Sequence, residues 1–241
     1  MTRVLITAPL RQSPEIIREH QESLDRLNIP EGVEVDRFWV VNDCPEVIPE
    51  LRGSYVTVDT GDNYRKEGEN HLWMPENLAK MPTLRNYTIT WALENGYDYW
   101  FSVDTDLILR PETLEVLLKA DKDIVSEIFW TKAAETEDGY WCNAWMYDQD
   151  GGMSADWLIP GLYQVGMTGA CTLVKRKVLE AGVSFAPIPC IRKALWGEDR
   201  WFSIRAAVLG FELWVDTHAP AMHLYTEEIY RRYVAQKAVE A

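Results

Sequence analysis

The segment Tyr99–Pro111, Tyr-Trp-Phe-Ser-Val-Asp-Thr-Asp-Leu-Ile-Leu-Arg-Pro, limits the possible folds more than any other stretch of the chain. Tyr99, Trp100, Phe101 and Val103 read as a buried strand, because aromatic and β-branched side chains suit a packed, pleated surface. Asp104 and Asp106 follow at once. Residues two apart on extended backbone point to the same side, so both carboxylates converge just past the strand's C-terminal end. Pro111 then opens a helix, with Glu112 and Glu115 in its first turns and Leu114, Leu117 and Leu118 on one face. A strand that ends in polar groups and leads into a helix belongs to an open α/β sheet, where ligands bind beyond the carboxyl ends of the strands. Adjacent carboxylates repel unless a cation lies between them. Mg²⁺ and Mn²⁺ are the natural guests, being ions that take carboxylate and phosphate oxygens.

The N-terminal part repeats this alternation. Val4–Ala8 reads as a strand. Ser13, Pro14 and Glu15 start a helix with a capping hydroxyl, a first-position proline and an early acid. Ile16, Ile17, His20, Leu24 and Leu27 form its inner face, and His20 there reads as a packed residue. Phe38–Val41 and Tyr55–Val58 are further strands, and the alternation argues a parallel sheet. Tyr64–Glu76 is polar and irregular. Pro82–Glu94 reads as a helix with Leu84, Tyr87, Thr88, Trp91 and Ala92 on one face, stopped by Asn95-Gly96. Beyond Lys119 the pattern expects a strand at Asp123–Trp130 and an antiparallel ribbon within Tyr140–Tyr147. A Gly-flanked strand at Gly166–Val174, a short helix at Lys175–Ala181 and a loop at Ala186–Leu195 follow. A helix from Gly197 to Leu209, a strand at Phe211–Val215 and a C-terminal helix around Tyr230–Tyr233, docked on the core, complete the expected order.

Composition narrows the partners. The formal net charge of −14 argues against a general nucleic-acid or anionic-membrane surface, since such binders carry basic patches. No apolar run approaches membrane-helix length, and the chain starts directly in a strand-like segment, so a cytoplasmic protein is expected. Cys44, Cys142, Cys171 and Cys190 lack zinc-site or redox spacing and are expected to be reduced thiols. Eleven tryptophans and eleven tyrosines exceed what a core of this size requires. Aromatic faces of this kind stack on sugar rings and bases.

An ordered series of motifs runs along most of the chain: the strand-end acid Asp43, Arg85-Asn86 in a helix, Asp104-Thr105-Asp106, the small-residue turn Gly166–Ala170, Trp196-Gly197-Glu198-Asp199 opening a helix, and His223 after a strand. The series resembles GT-A-fold, nucleotide-sugar-dependent glycosyltransferases, in particular the large family-2-like group. The resemblance implies one α/β domain with a GT-A-type, Rossmann-like, mostly parallel central sheet flanked by helices and a small antiparallel ribbon in the C-terminal half. Residues 1–120 would form a donor half and 121–241 an acceptor half. It implies that Asp43, Arg85, Asn86, Asp104 and Ala8 bind a UDP- or GDP-linked donor, and that Asp104, Asp106 and His223 hold Mn²⁺ or Mg²⁺. His218 competes with His223. Gly169 and Trp196 would line the site of an acceptor whose identity the resemblance leaves open. Asp199, with Glu198 as runner-up, would be the base that takes the acceptor hydroxyl's proton. The processive Gln-x-x-Arg-Trp signature is absent, so a single sugar transfer is expected, with inversion at the anomeric carbon.

Three other readings stand beside it. Retaining transferases share the motif. Nucleotidyltransferases also pair acids with Mg²⁺, but usually carry a Gly-rich loop where this chain has Thr7-Ala8-Pro9-Leu10-Arg11-Gln12-Ser13. A non-catalytic sugar or nucleotide binder would use the aromatics equally well.

Overall fold

The computed structural model describes residues 1–61, 66–67, 70–71, 75–132, 140–146, 153–191 and 197–240. Strand β1 (Thr2–Leu10) is buried from Val4 to its end, as a central parallel strand must be when helices cover both faces. Helix α1 (Pro14–Asp25) begins at the expected proline. β2 (Val33–Asn42) and β3 (Ser54–Val58) follow, then a ribbon of β4 (Lys66–Glu67) and β5 (Asn70–His71), helix α2 (Pro75–Glu94) and β6 (Tyr99–Ser102). After β6 come β7 (Leu107–Ile108), α3 (Thr113–Ala120) and β8 (Ile124–Lys132). The C-terminal half continues with β9 (Tyr140–Cys142), β10 (Ala144–Trp145), β11 (Leu162–Val165), β12 (Met167–Thr168) and β13 (Thr172–Lys175). It ends with α4 (Arg176–Glu180), α5 (Glu198–Val208), β14 (Leu213–His223) and α6 (Glu227–Glu240).

The large sheet runs β11-β14-β8-β13-β6-β1-β2-β3. β6, β1, β2 and β3 are mutually parallel, as are β8 and β14. β13 is antiparallel to β6 and β8. The result is a mixed, mostly parallel sheet with helices on both faces, and β10 and β12 form a separate small antiparallel sheet. Alternate residues of the strands feed two cores. Val4, Ile6 and Ala8 pack with Ile17, Trp39, Phe101 and Leu114 on one face. Leu5, Phe38, Leu84, Trp100, Phe185 and Phe202 pack on the other. His20 is buried as expected, its Nδ1 2.7 Å from the carbonyl of Leu107. Helix α6 docks on α1, with Lys237 Nζ 2.7 Å from Glu19 Oε2. All four cysteines are free. Among the described residues no helix is long and apolar enough to cross a membrane.

Three elements differ from expectation. Helix α2 starts at Pro75 and carries Pro82 in its interior. Pro75-Glu76 is itself a first-position proline followed by an acid, and the helix takes this earlier start signal. The expected strand Gly166–Val174 divides into β12 and β13, because Cys171 takes φ 48° and turns the chain between them. β14 extends to His223 rather than stopping at Val215, with a register irregularity between Asp216 and Ala221. That irregularity accommodates the polar residues that read as loop: His218 donates its N–H to Asp216 Oδ1 at 2.9 Å, and Ala219 donates to Glu127 Oε1 at 3.2 Å. Only part of the expected ribbon, 140–146, and of the loops at 64–76 and 186–195 lies within the described residues.

Candidate active site

The site forms at the carboxyl ends of the parallel strands. Asp104 and Asp106 occupy the turn between β6 and β7, closed by Leu107 N–H to Asp104 O at 3.1 Å. β7 then pairs with the last residues of β14, aligning Leu107 with His223. This pairing brings His223 Nε2 to 3.3 Å from Asp106 Oδ2. His223 Nδ1 lies 2.9 Å from Thr131 Oγ1 on β8. Phe129 and Tyr225 flank the imidazole, with ring centroids 5.0 and 5.1 Å away. Burial works against a charged His223, but the negative charges of Asp106 and Asp104 outweigh it and raise its pKa. His218 lies elsewhere, its Nδ1 3.0 Å from Asp216 Oδ1. Of the two histidines, His223 is therefore the one beside the Asp pair.

The donor set of carboxylate oxygens and one imidazole nitrogen suits Mn²⁺ or Mg²⁺ chemically. Asp106 and His223 already face each other. The Asp104 carboxylate is turned towards Arg85 instead, and among the described residues no three His, Cys, Asp or Glu side chains converge as a formed cation site.

Arg85 comes from α2 and is buried. Its Nη2 lies 3.1 Å from Asp104 Oδ1 and its Nη1 3.3 Å from Ser102 Oγ. The guanidinium carbon lies 5.6 Å from the centroid of the Phe185 ring. Burial opposes the charge on Arg85, but Asp104, Asp199 and Glu198 together hold its pKa above the ordinary value.

Asp199 lies in the first turn of α5, which Gly197 opens at φ 147°. Its carboxyl is pushed up to about 7, first by burial, then by the neighbouring Glu198, with Arg85 opposing. A carboxylate that titrates near neutrality is matched to general-base work. Gly169 lies against it, and a Cβ at Gly169 would stand 2.6 Å from Asp199 Oδ2. Arg85, Ser102, Gly169, Phe185 and Asp199 line one small pocket. Arg85, Asp104, Gly169, Glu198 and Asp199 are thus brought together, with Asp106 and His223 adjoining through the Asp104 turn.

The remaining candidates divide. Asp43 follows β2 at φ 53°. Its Oδ1 accepts from Thr60 N–H at 2.8 Å, its Oδ2 from the Thr60 hydroxyl, and Arg11 Nη1 lies 3.6 Å away. Burial alone would raise the pKa of Asp43, but the Thr60 hydrogen bonds and Arg11 lower it. Ala8 is fully buried in β1, with its side chain in the core. Asn86 Oδ1 accepts from the backbone N–H of Phe185 at 2.8 Å, so this amide ties down the segment that carries Phe185. Trp196 lies outside the described residues.

Two contributors had no sequence signal. Asn143 donates to Glu127 O at 3.0 Å and Gly169 O at 3.1 Å, while its Oδ1 accepts from Phe129 N–H at 2.9 Å. It thereby fixes Gly169 against Asp199. Thr131 holds the far nitrogen of His223. Thr131 lies near the end of β8 and Asn143 between β9 and β10, in a stretch aperiodic from Thr131 on, where only the strand pairing gives them a place.

No family model matches the chain. The chain is 28% identical over 155 residues to procollagen galactosyltransferase 1-A of Xenopus laevis, a match covering 58% of this chain and 24% of that protein. The matched part is thus about a quarter of the relative's length. Two solved structures share the fold. TarS 1–349 of S. aureus in complex with UDP superimposes with a TM-score of 0.54 at 14% identity, covering 92% of this chain and 60% of that one. GalNAc-T7 with UDP, GalNAc and Mn²⁺ superimposes with a TM-score of 0.59 at 11% identity, covering 93% of this chain and 44% of that one. The chain has the GT-A glycosyltransferase fold.

Proposed function

We propose that the protein is a metal-dependent glycosyltransferase that moves one hexose from a nucleotide-diphosphate sugar to an acceptor hydroxyl, with inversion. The observation that carries this reading is the joining of two chemistries by one residue. Arg85 contacts the Asp104 carboxylate directly and shares a pocket with Asp199, the carboxyl that titrates at about 7. A UDP-linked donor is favoured, because both solved structures contain UDP. A divalent ion is favoured by the Mn²⁺ in one of them and by the donor set here.

Asp104, Asp106 and His223 would hold the ion, which when bound offsets the charge of the donor diphosphate. Arg85 supplies a permanent, forked positive charge at the same place. Asp43, just past the end of β2, would contact the donor's nucleotide base. Asp199 accepts the proton of the acceptor hydroxyl. The freed oxygen forms a bond to the anomeric carbon from the face opposite the leaving group. The bond from that carbon to the diphosphate oxygen breaks, and its electron pair leaves with the nucleoside diphosphate. One domain does this, with residues 1–120 as donor half and 121–241 as acceptor half. The test is turnover of UDP-galactose, UDP-glucose and UDP-GlcNAc, with the product's anomeric configuration read by NMR. An inverted product is expected, and retention of the donor's configuration would refute the in-line mechanism. Asp104→Asn and Asp106→Asn variants separate catalyst from binder. A catalyst loses transfer while staying folded, whereas a binder keeps its ligand.

A further inference from the structure

We propose that Trp141 is the stacking platform for a neutral pyranose ring of the acceptor, an assignment that rests on the glycosyltransferase reading above. Of the tryptophans among the described residues, Trp141 is the one whose side chain is exposed, at 55%. Trp39, Trp100, Trp157 and Trp201 are buried in the cores. An exposed indole costs apolar surface left in water, so a place beside the reacting centre gives it a use that a random surface position would not.

Its position follows from register. In the antiparallel pair of β8 and β9, Trp141 stands directly opposite Thr131. Directly opposed residues project from the same face of a sheet, with Cβ atoms about 5 Å apart. Thr131 Oγ1 lies 2.9 Å from His223 Nδ1, and His223 Nε2 lies 3.3 Å from Asp106. The indole therefore starts one side chain away from the Asp106–His223 pair. The same short segment also reaches the base. Two residues on from Trp141, Asn143 binds the carbonyl of Gly169 at 3.1 Å, and Gly169 abuts Asp199. Trp141 thus stands on the stretch of chain that spans from the metal-ligand side to the base side. The acceptor hydroxyl must lie between those two sides if Asp199 is to deprotonate it while it attacks the donor.

Chemistry selects the occupant. The apolar face of a pyranose presents C–H groups, which meet the negative face of an indole favourably. An anionic acceptor would face Asp104, Asp106, Glu198 and Asp199 on a chain of net charge −14. A neutral ring avoids that repulsion. Its hydroxyls remain free to hydrogen-bond, and one of them reacts.

The test compares wild type, Trp141→Ala and Trp141→Phe with UDP-hexose donors. The acceptor probes are methyl and p-nitrophenyl pyranosides of neutral sugars and a serine-containing peptide. Wild type is expected to glycosylate at least one pyranoside. Trp141→Ala should raise that acceptor's KM about tenfold or more, with UDP affinity within twofold of wild type. Trp141→Phe, which keeps an aromatic face, should restore most of the loss. An unchanged acceptor KM in Trp141→Ala overturns the proposal, as does an effect confined to the donor's KM. Transfer to the peptide with every pyranoside ignored also overturns it. A wild-type protein that binds no UDP defeats the underlying reading, and the assignment with it; that result is distinguished by calorimetry before any acceptor is added.

Discussion

Arg85 Nη2 lies 3.1 Å from Asp104 Oδ1, so the first carboxylate of the Asp-x-Asp turn is engaged by a buried cation from α2. In the proposed site this contact is the exchange point between ion binding and charge balance. Were Asp104 to hold a bound ion, the positive charge of Arg85 would be left to Asp199, Glu198 and the donor phosphates. Arg85 is buried whereas Asp104 is part-exposed, so removing Arg85 takes the shared positive charge from Asp104, Asp199 and Glu198 together.

Arg85→Ala is accordingly expected to destabilise the fold by about 1–3 kcal/mol, through lost charge-assisted hydrogen bonds, and to abolish transfer. Arg85→Lys keeps the charge but loses the fork that reaches Ser102 and Asp104 together. It should fold near normally and lose transfer by about a hundredfold. Urea unfolding and initial rates check the two variants. Wild-type rates in Arg85→Lys would contradict the role.

The Asp199 carboxyl is raised to about 7, so it is ionised, and able to act as a base, only above that pH. Transfer should rise as pH increases through about 7. Asp199→Asn should lower kcat by about 10²–10⁴ while leaving UDP binding intact. The stability sign is opposite to the activity sign. A folded-state pKa above the unfolded value means that the folded protein binds the proton more tightly, so stability is lost as pH climbs from about 4 to about 7. Asp199→Asn should therefore have a higher Tm than wild type at pH 8, a gain that shrinks as pH falls. A lower Tm at pH 8 would contradict the assignment.

Glu127 is fully buried and pushed up to about 9, mainly by burial and then by Asp216. It faces Asp216 in the register of β8 and β14. By the same sign argument, its contribution is complete below about 4.5 and is lost as pH rises to about 9. Glu127→Gln imitates the protonated form and should flatten the decline of Tm between pH 7 and pH 9. An unchanged slope would show that Glu127 is ionised in the folded protein.

Gly169→Ala tests packing against the base. Its Cβ would stand 2.6 Å from Asp199 Oδ2, so Asp199 must move. A stability loss of about 1–3 kcal/mol and a lower kcat are expected, read from urea unfolding and steady-state rates. Full activity would mean that Asp199 tolerates displacement and is not held for catalysis.

The Asp pair was legible in the sequence because its signal is local: a strand and a turn within the thirteen residues Tyr99–Pro111, with helix α3 starting at Thr113 just beyond. Asp199 was legible for the same reason, as an acid in the first turn of a helix. The meeting of His223 with Asp106 is a long-range event, and its strand was read too short because Asp216, His218 and Pro220 look like loop. They sit in the irregular part of β14 and keep their polar groups bonded there. Asn143, Thr131 and Trp141 carry no local sequence signal. Their neighbourhood has no hydrophobic period, and only the pairing of β8 with β9 and of β10 with β12 gives them positions. The resemblance implies a donor role for Asn86; in the fold its Oδ1 holds the backbone of Phe185, a contact with no local signal. A helix-face pattern cannot tell which polar side chain will find a loop to bind.

The most direct test of the central claim is calorimetric titration of UDP, with Mn²⁺ and with chelator, into wild type, Asp106→Asn and His223→Ala. Binding to wild type is expected to require Mn²⁺ and to weaken at least about tenfold in both variants. UDP binding that persists unchanged in chelator, or that is indifferent to the loss of Asp106 and His223, would contradict that claim.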